Sequence, residues 1–153
     1  HPGNQMGEIP YGPPANLVPV ITRFAAGKIP ALRVFGTDYP TRDGSCMRDF
    51  IHVCDIASAH TLALQNLQDG KNKTNCEIFN LGTGNGVTVL ETIHAFEKVT
   101  GKQLAYQLAD RRAGDVIAIY ANNEKARQEL GWIPRYNLED IMRTAWQWEQ
   151  QLP

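Results

Sequence analysis

The chain lacks any apolar run near the ~20 residues that a membrane helix needs, and its start shows no basic stretch leading into an apolar one. Those absences exclude a spanning helix and a secretory leader from the reading, and the expectation is a soluble, cytoplasmic protein. Cysteine is scarce: Cys46, Cys54 and Cys76 are odd in number and form no Cys-x-x-Cys pair, which excludes a disulfide framework and a zinc knuckle. Charge of one sign is missing too. Fifteen basic against sixteen acidic side chains leave a net charge of -1, too little positive surface in bulk to neutralise a nucleic-acid backbone. His1, His52, His60 and His94 are scattered, without a His-Glu-x-x-His run or a clustered carboxylate pair, so no metal is expected. No repeat or low-complexity tract is present. What remains is 153 residues, 42% of them apolar, enough for one domain that buries roughly 70% of its unfolded surface without a staple. The chain begins at His1 rather than methionine, and the expectation is a piece of something longer.

Pro2, Gly3, Gly7, Pro10, Gly12, Pro13 and Pro14 crowd the first fifteen residues, a density that predicts an extended loop. Asn16 is placed to cap a helix whose Leu17, Val20, Ile21 and Phe24 recur at helical spacing and which Gly27 closes. Short strands are predicted at 32–35 and 50–53, separated by a polar turn around Asp43-Gly44. Asp55 is then predicted to cap a helix with Ile56, Ala59, Ala63, Leu64 and Leu67 as its apolar stripe. A strand at 78–81 leads into the glycine run 82–86, and Thr88 with Glu91 forms a capping box for a helix that carries Leu90, Ile93 and Phe96 inward. A strand at 104–108, a short helix at 123–130 ended by Gly131 and a final helix capped by Asn137 complete an α/β alternation. That last helix places Trp146 on its apolar stripe, with Trp148 at the flank.

Two features carry candidate chemistry. Gly82 and Gly84 sit at a strand-to-helix turn, where dinucleotide pyrophosphates bind, but the third glycine of Gly-x-Gly-x-x-Gly is missing and no ribose-binding acid follows about 20 residues later. A close turn is the simpler reading, and no cofactor site is assigned to it. No nucleophile with a base and an orienting partner can be read from Ser45 or the cysteines. Arg48-Asp49 and Arg111-Arg112-Ala113-Gly114-Asp115 set guanidinium forks beside carboxylates at element ends. Such forks match phosphate oxygens bidentately, while the alternative is surface ion pairs of ~0–1 kcal/mol.

Taken together, Ala15-Asn16-Leu17-Val18-Pro19, the segment 34–41 (Val-Phe-Gly-Thr-Asp-Tyr-Pro-Thr), Arg48-Asp49-Phe50-Ile51-His52-Val53 followed by Asp55, Phe79-Asn80-Leu81-Gly82 and Arg111-Arg112-Ala113-Gly114-Asp115 resemble the UDP-glucose 4-epimerase family of extended short-chain dehydrogenases/reductases. The resemblance runs in order along the whole chain and is to the C-terminal, substrate-binding portion of those enzymes. The family's N-terminal glycine fingerprint and its catalytic Tyr-x-x-x-Lys pair have no counterpart here.

The resemblance implies an α/β substrate domain over 1–153, with elements within roughly 51–100 that complete and pack on the Rossmann sheet of a missing NAD-binding domain. It implies UDP-hexose as ligand, NAD only in the complete enzyme, a homodimer when complete, and no catalytic residue within this chain. Residue by residue, Asn16 and Leu17 resemble contacts at the nucleotide-sugar cleft, and Arg33, Val34 and Phe35 the strand along the uracil. Arg48 and Arg112 would hold the diphosphate, Asp115 the ribose, and Ile119 would stand beside the sugar's C2 substituent, where the family carries a tyrosine or a smaller residue. Ala15 departs from a family asparagine. Two alternatives stay open: another extended short-chain dehydrogenase acting on nucleotide sugars, a dehydratase or uronate epimerase, and a non-catalytic nucleotide-sugar-binding module.

Overall fold

The computed structural model describes residues 1–3, 5–9 and 11–153; Asn4 and Pro10, one of the loop-marking prolines, lie outside the described residues. The elements run α1 (Leu17–Ala25), β1 (Arg33–Phe35), β2 (Met47–Arg48), α2 (Val53–Gln68), β3 (Val87–Thr88), α3 (Val89–Thr100), β4 (Gln107–Ala109), α4 (Glu124–Leu130) and α5 (Leu138–Glu149). β1 pairs in parallel with β4, and β2 in antiparallel with β3, while a single parallel bridge joins Met47 to Ala118. The α/β class holds, but the strands form two small ladders rather than one sheet.

Helices supply most of the core. Ile21 of α1, Ile93 and Phe96 of α3, and Ile141 and Met142 of α5 meet Leu32, Val34 and Leu104 around β1. These are the inward positions of amphipathic stripes, whose burial is worth about 1.5–3 kcal/mol for each large side chain. The helix ends follow the sequence signals. Thr88 and Glu91 bond each other's backbone in a capping box, and Gly101 ends α3 with φ 69°. Asn137 and Asp140 make a second box at α5, which the sequence reading had only as a single cap. Asn16 occupies the cap position of α1 with extended backbone, but its amide nitrogen donates to Glu8 Oε1 at 3.2 Å instead of the side chain capping the helix.

Several expectations are corrected. Residues 50–53 are not a strand: β2 lies earlier, at Met47–Arg48, and α2 already begins at Val53. The cap of α2 is His52, whose Nδ1 accepts the Cys54 N–H at 3.1 Å, and not Asp55. Asp55 sits inside the first turn, only 1% exposed. Its carboxylate accepts the N–H groups of Arg135 (3.0 Å) and Tyr136 (3.1 Å), and its carbonyl accepts the Trp132 indole N–H at 2.9 Å. An N-cap residue and a long-range anchor share the same residue preference, so sequence alone confuses them. The stripe on α2 is buried only in part: Ala59 joins Ala126, Leu130 and Trp132 in a second cluster, while Leu64 and Leu67 are exposed. Residues 78–81 pair with no strand among the described residues, and Ile78 is 76% exposed. β-propensity without a neighbouring edge gives no ladder. The predicted strand at 104–108 is realised at Gln107–Ala109, because pairing with β1 sets the register and sends Leu104 into the core.

Candidate functional site

The site grows from the end of β2. Arg48 Nη1 donates to the carbonyls of Met47 (2.7 Å) and Val116 (2.6 Å), which fixes the guanidinium, and Nη2 stands 3.8 Å from Asp115 Oδ1. From the other side Arg112 Nη2 donates to the same Asp115 oxygen at 2.8 Å, and its guanidinium lies 5.4 Å from the Phe35 ring centroid at the end of β1. Arg48, Asp115, Arg112 and Phe35 are thus linked in sequence across three segments distant in the chain. The side chain of Arg112 remains 63% exposed against 31% for Arg48. The Asp115 carboxylate beside Arg112 raises the guanidinium's already high pKa further, so it is cationic at every working pH. Two cations around one carboxylate leave this spot locally positive on a chain that is negative overall.

Arg111, in contrast, leaves the group. Its Nε and Nη2 bond Asp38 Oδ1 (2.7 Å) and the Asp38 carbonyl (2.9 Å), and its guanidinium lies 4.3 Å from the Tyr39 ring centroid. The hydrogen bond from Arg111 holds the Asp38 carboxyl below its ordinary range. Of the tandem arginines, one clamps the turn after β1 and the other faces the cluster.

A cavity of about 510 Å³ opens beside Arg48 and is walled by Asn80, Ile119, Tyr120 and Asn122. Ile119 is 58% exposed and hangs on the stretch after Ala118, with its N–H donating to the Met47 carbonyl at 3.2 Å. Of the other residues singled out in the sequence, Arg33 is exposed on β1, and Val34 turns its side chain into the core, so only its backbone can face a ligand. Leu17 packs half-buried on the helical core. Asn16 is engaged with Glu8, and among the described residues no hydrogen bond joins it to the arginine group.

Asp49 is a residue to which sequence reasoning assigned no role, beyond weighing a surface ion pair with Arg48. It turns the other way: Oδ1 accepts the Thr83 N–H (3.1 Å) and hydroxyl (2.8 Å), and Oδ2 accepts the Ala121 N–H (3.0 Å). Gly82 owes its place in the glycine run to this contact. A β-carbon on Gly82 would lie 2.2 Å from Asp49 Oδ2 and 2.8 Å from Ala121 Cβ, so close packing, not an anion, requires the missing side chain. The Thr83 hydroxyl has one proton to share between Asp49 Oδ1 and the Asn85 carbonyl, each at 2.8 Å, and its oxygen accepts the Asn85 N–H at 3.3 Å. The turn departs from the dinucleotide-binding fingerprint, with Val87 where the third glycine would stand. The only available signal was Gly82 itself, three residues past a residue that packs against α4.

Comparison with known proteins follows the same line. The family model described as GDP-mannose 4,6 dehydratase matches residues 1–145. A UDP-glucose 4-epimerase of Pisum sativum is 47% identical over all 153 residues, which span 43% of that protein. The chain also superposes on a UDP-glucose 4-epimerase of Stenotrophomonas maltophila, solved with NAD and formylated UDP-arabinopyranose. There the TM-score is 0.93 and the identity 47%, over 98% of this chain and 44% of that one. A Bifidobacterium longum UDP-glucose 4-epimerase in complex with NAD+ and UDP gives a TM-score of 0.91 and 38% identity, over 99% and 44%. The chain thus spans less than half the length of the relatives it matches. It belongs to the family described as GDP-mannose 4,6 dehydratase, and the relatives that it matches along its whole length are UDP-glucose 4-epimerases.

Proposed function

We propose that this chain is the C-terminal, substrate-binding portion of an NAD-dependent UDP-hexose 4-epimerase. The observation that carries the reading is the arrangement of Arg48 and Arg112 about Asp115, with an aromatic ring at one end and a roomy cavity at the other. A nucleoside diphosphate sugar has the matching order of parts. Phe35 and the backbone of β1 take the uracil, the two guanidiniums the diphosphate, Asp115 a ribose hydroxyl, and the cavity beside Ile119 the hexose. Asn16 and Leu17, at the start of α1, are assigned to the nucleotide-sugar cleft on the resemblance alone.

The hydride chemistry of such an enzyme is supplied by NAD, and no group described above forms a cradle for it. This chain's share is to hold and orient the sugar while water is excluded. Within 51–100, Val53, Leu64, Leu67 and Ile78 expose large apolar side chains, which is consistent with a face that docks on an NAD-binding domain outside this chain. The edge-free segment 78–81 would gain its ladder there. A homodimer is the expected assembly of the complete protein.

A second reading is favoured by the description of the family model, which names a dehydratase. Product analysis separates the two. The complete protein, given UDP-galactose, should return UDP-glucose with no loss of water. Formation of a 4-keto-6-deoxy sugar would establish the dehydratase instead, and absence of any turnover would leave a nucleotide-sugar-binding module.

A further inference from the structure

We infer that Asp49 is a positioning residue for the sugar wall: it holds the segment carrying Ile119 in register and so sets how well the site discriminates at the sugar's C2 substituent. The inference deepens the proposed function and rests on it.

The segment 116–121 has little secondary structure of its own, and a single bridge, Met47 to Ala118, ties it to β2. It is fastened by consecutive residues at the end of that strand, with opposite chemistry. Arg48 donates to the carbonyl of Val116 at 2.6 Å, and Asp49 accepts the N–H of Ala121 at 3.0 Å. Met47 completes the seam, accepting the Ile119 N–H at 3.2 Å and donating its own N–H to Ile117 at 2.8 Å. Ile119 therefore lies between two fixed points, and the far one depends on a single carboxylate. That carboxylate is itself held by Thr83, through its N–H and through a hydroxyl whose proton it shares with the Asn85 carbonyl.

Asp49 touches none of the groups assigned to the uracil or the diphosphate. It lines the cavity but has both oxygens engaged by backbone and hydroxyl donors, so its action on the substrate runs through Ala121 and Ile119. A side chain longer than aspartate does not fit, since Gly82 and Ala121 already approach within contact distance. Asparagine keeps the shape but has one acceptor oxygen where aspartate has two, so either the Ala121 N–H or the Thr83 N–H is left facing a donor, and the link from Thr83 through residue 49 to Ala121 is weakened. With its far side loosened, Ile119 is held only by its own N–H on the Met47 carbonyl, so the wall beside C2 yields more readily to bulk and the productive pose of the smaller sugar is less well held.

The test is steady-state kinetics of the complete protein with UDP-galactose and UDP-N-acetylglucosamine, together with UDP affinity and amide exchange at Ala121. For Asp49→Asn, KM for UDP-galactose should rise about tenfold with kcat changed less than about twofold. The ratio of kcat/KM for the N-acetylated sugar to that for UDP-galactose should rise at least about threefold. Thr83→Val, which removes one donor from the carboxylate, should move the ratio in the same direction by less, and Thr83→Ser should restore the parental ratio. Should Asp49→Asn fail to fold, the Thr83 pair decides alone. A parental ratio in the Thr83→Val protein, and in any folded Asp49→Asn protein, overturns the inference and leaves Asp49 a structural anchor only. Should the parental protein turn over neither sugar, the proposed function fails by itself. The role of Asp49 is then judged by Ala121 exchange, which should be faster in Asp49→Asn while UDP affinity stays at its parental value; unchanged exchange overturns it.

Discussion

Replacing Arg112 by alanine separates a nucleotide-binding arginine from a surface ion pair. Among the described residues this side chain makes one ion pair, to Asp115 at 2.8 Å, and it is 63% exposed. A pair so accessible to water is worth ~0–1 kcal/mol, so the substitution should leave thermal stability nearly unchanged. Binding is different. A charged hydrogen bond to a phosphate oxygen contributes about 1.5–3 kcal/mol, which corresponds to roughly a ten- to hundredfold loss of UDP affinity. Two structural consequences deepen the loss. The Phe35 ring no longer has the guanidinium beside it, and Asp115 keeps only Arg48, at 3.8 Å, to offset its repulsion of the diphosphate. Titration calorimetry of UDP into the complete protein measures the effect, and raising salt should shrink it through screening. Lysine at 112 should rescue only in part, because a point charge cannot bond two oxygens from a planar fork. Unchanged UDP affinity with an unchanged melting temperature would refute the assignment and return Arg112 to the solvent-facing surface.

Further outcomes are expected from other parts of the structure. Ile119→Tyr should abolish turnover of UDP-N-acetylglucosamine in the complete protein while UDP-galactose turnover survives, since a ring would fill space beside C2; equal effects on both sugars, read as kcat/KM, would place Ile119 outside the pocket. Asp55→Ala should cost about 2–4 kcal/mol in chemical denaturation by leaving the N–H groups of Arg135 and Tyr136 without an acceptor, against which a change below about 0.5 kcal/mol would count. The 153-residue chain by itself should bind no NAD, show no epimerase activity and self-associate through its exposed apolar side chains; a sharply melting monomer in sedimentation and calorimetry would contradict this. Burial holds the pKa of His52 below its ordinary value of 6.5, so protonation favours the unfolded chain: the contribution is intact above 6.5 and is lost as pH falls through the lower folded value. Protonation at Nδ1 also removes the acceptor for the Cys54 N–H, and His52→Asn, which caps without titrating, should flatten the melting temperature between neutral pH and about pH 5.

How far these features were legible in the sequence depended on whether their cause was local. The capping box at Thr88, the left-handed glycines at 101 and 131 and the apolar faces of α3 and α5 are set within a turn or two of chain, and all were readable. The strand expected at 50–53 falls on the link between β2 and the start of α2, and the cap at Asp55 was misread because its partners are remote. Asp55 is committed to backbone 80 residues away, which no local pattern reveals. The strand expected at 78–81 failed for a related reason, since a strand is completed by its neighbour and none is present among the described residues. At the site, the arginine motifs indicated the right segments but could not say which guanidinium of Arg111-Arg112 turns toward Asp115. Nor could adjacency in sequence show that Arg48 and Asp49 point to different partners, one to Val116 and the other to Thr83 and Ala121.

The central claim is that Arg48 and Arg112 together hold a nucleoside diphosphate between the Phe35 ring and the cavity beside Ile119. A structure of the complete protein with UDP bound measures this directly. Both guanidiniums should lie within about 3 Å of diphosphate oxygens, as charge-assisted hydrogen bonds require, with the uracil along β1. A diphosphate bound elsewhere, with Arg48 and Arg112 still engaging only Asp115 and the Met47 and Val116 carbonyls, would contradict the account.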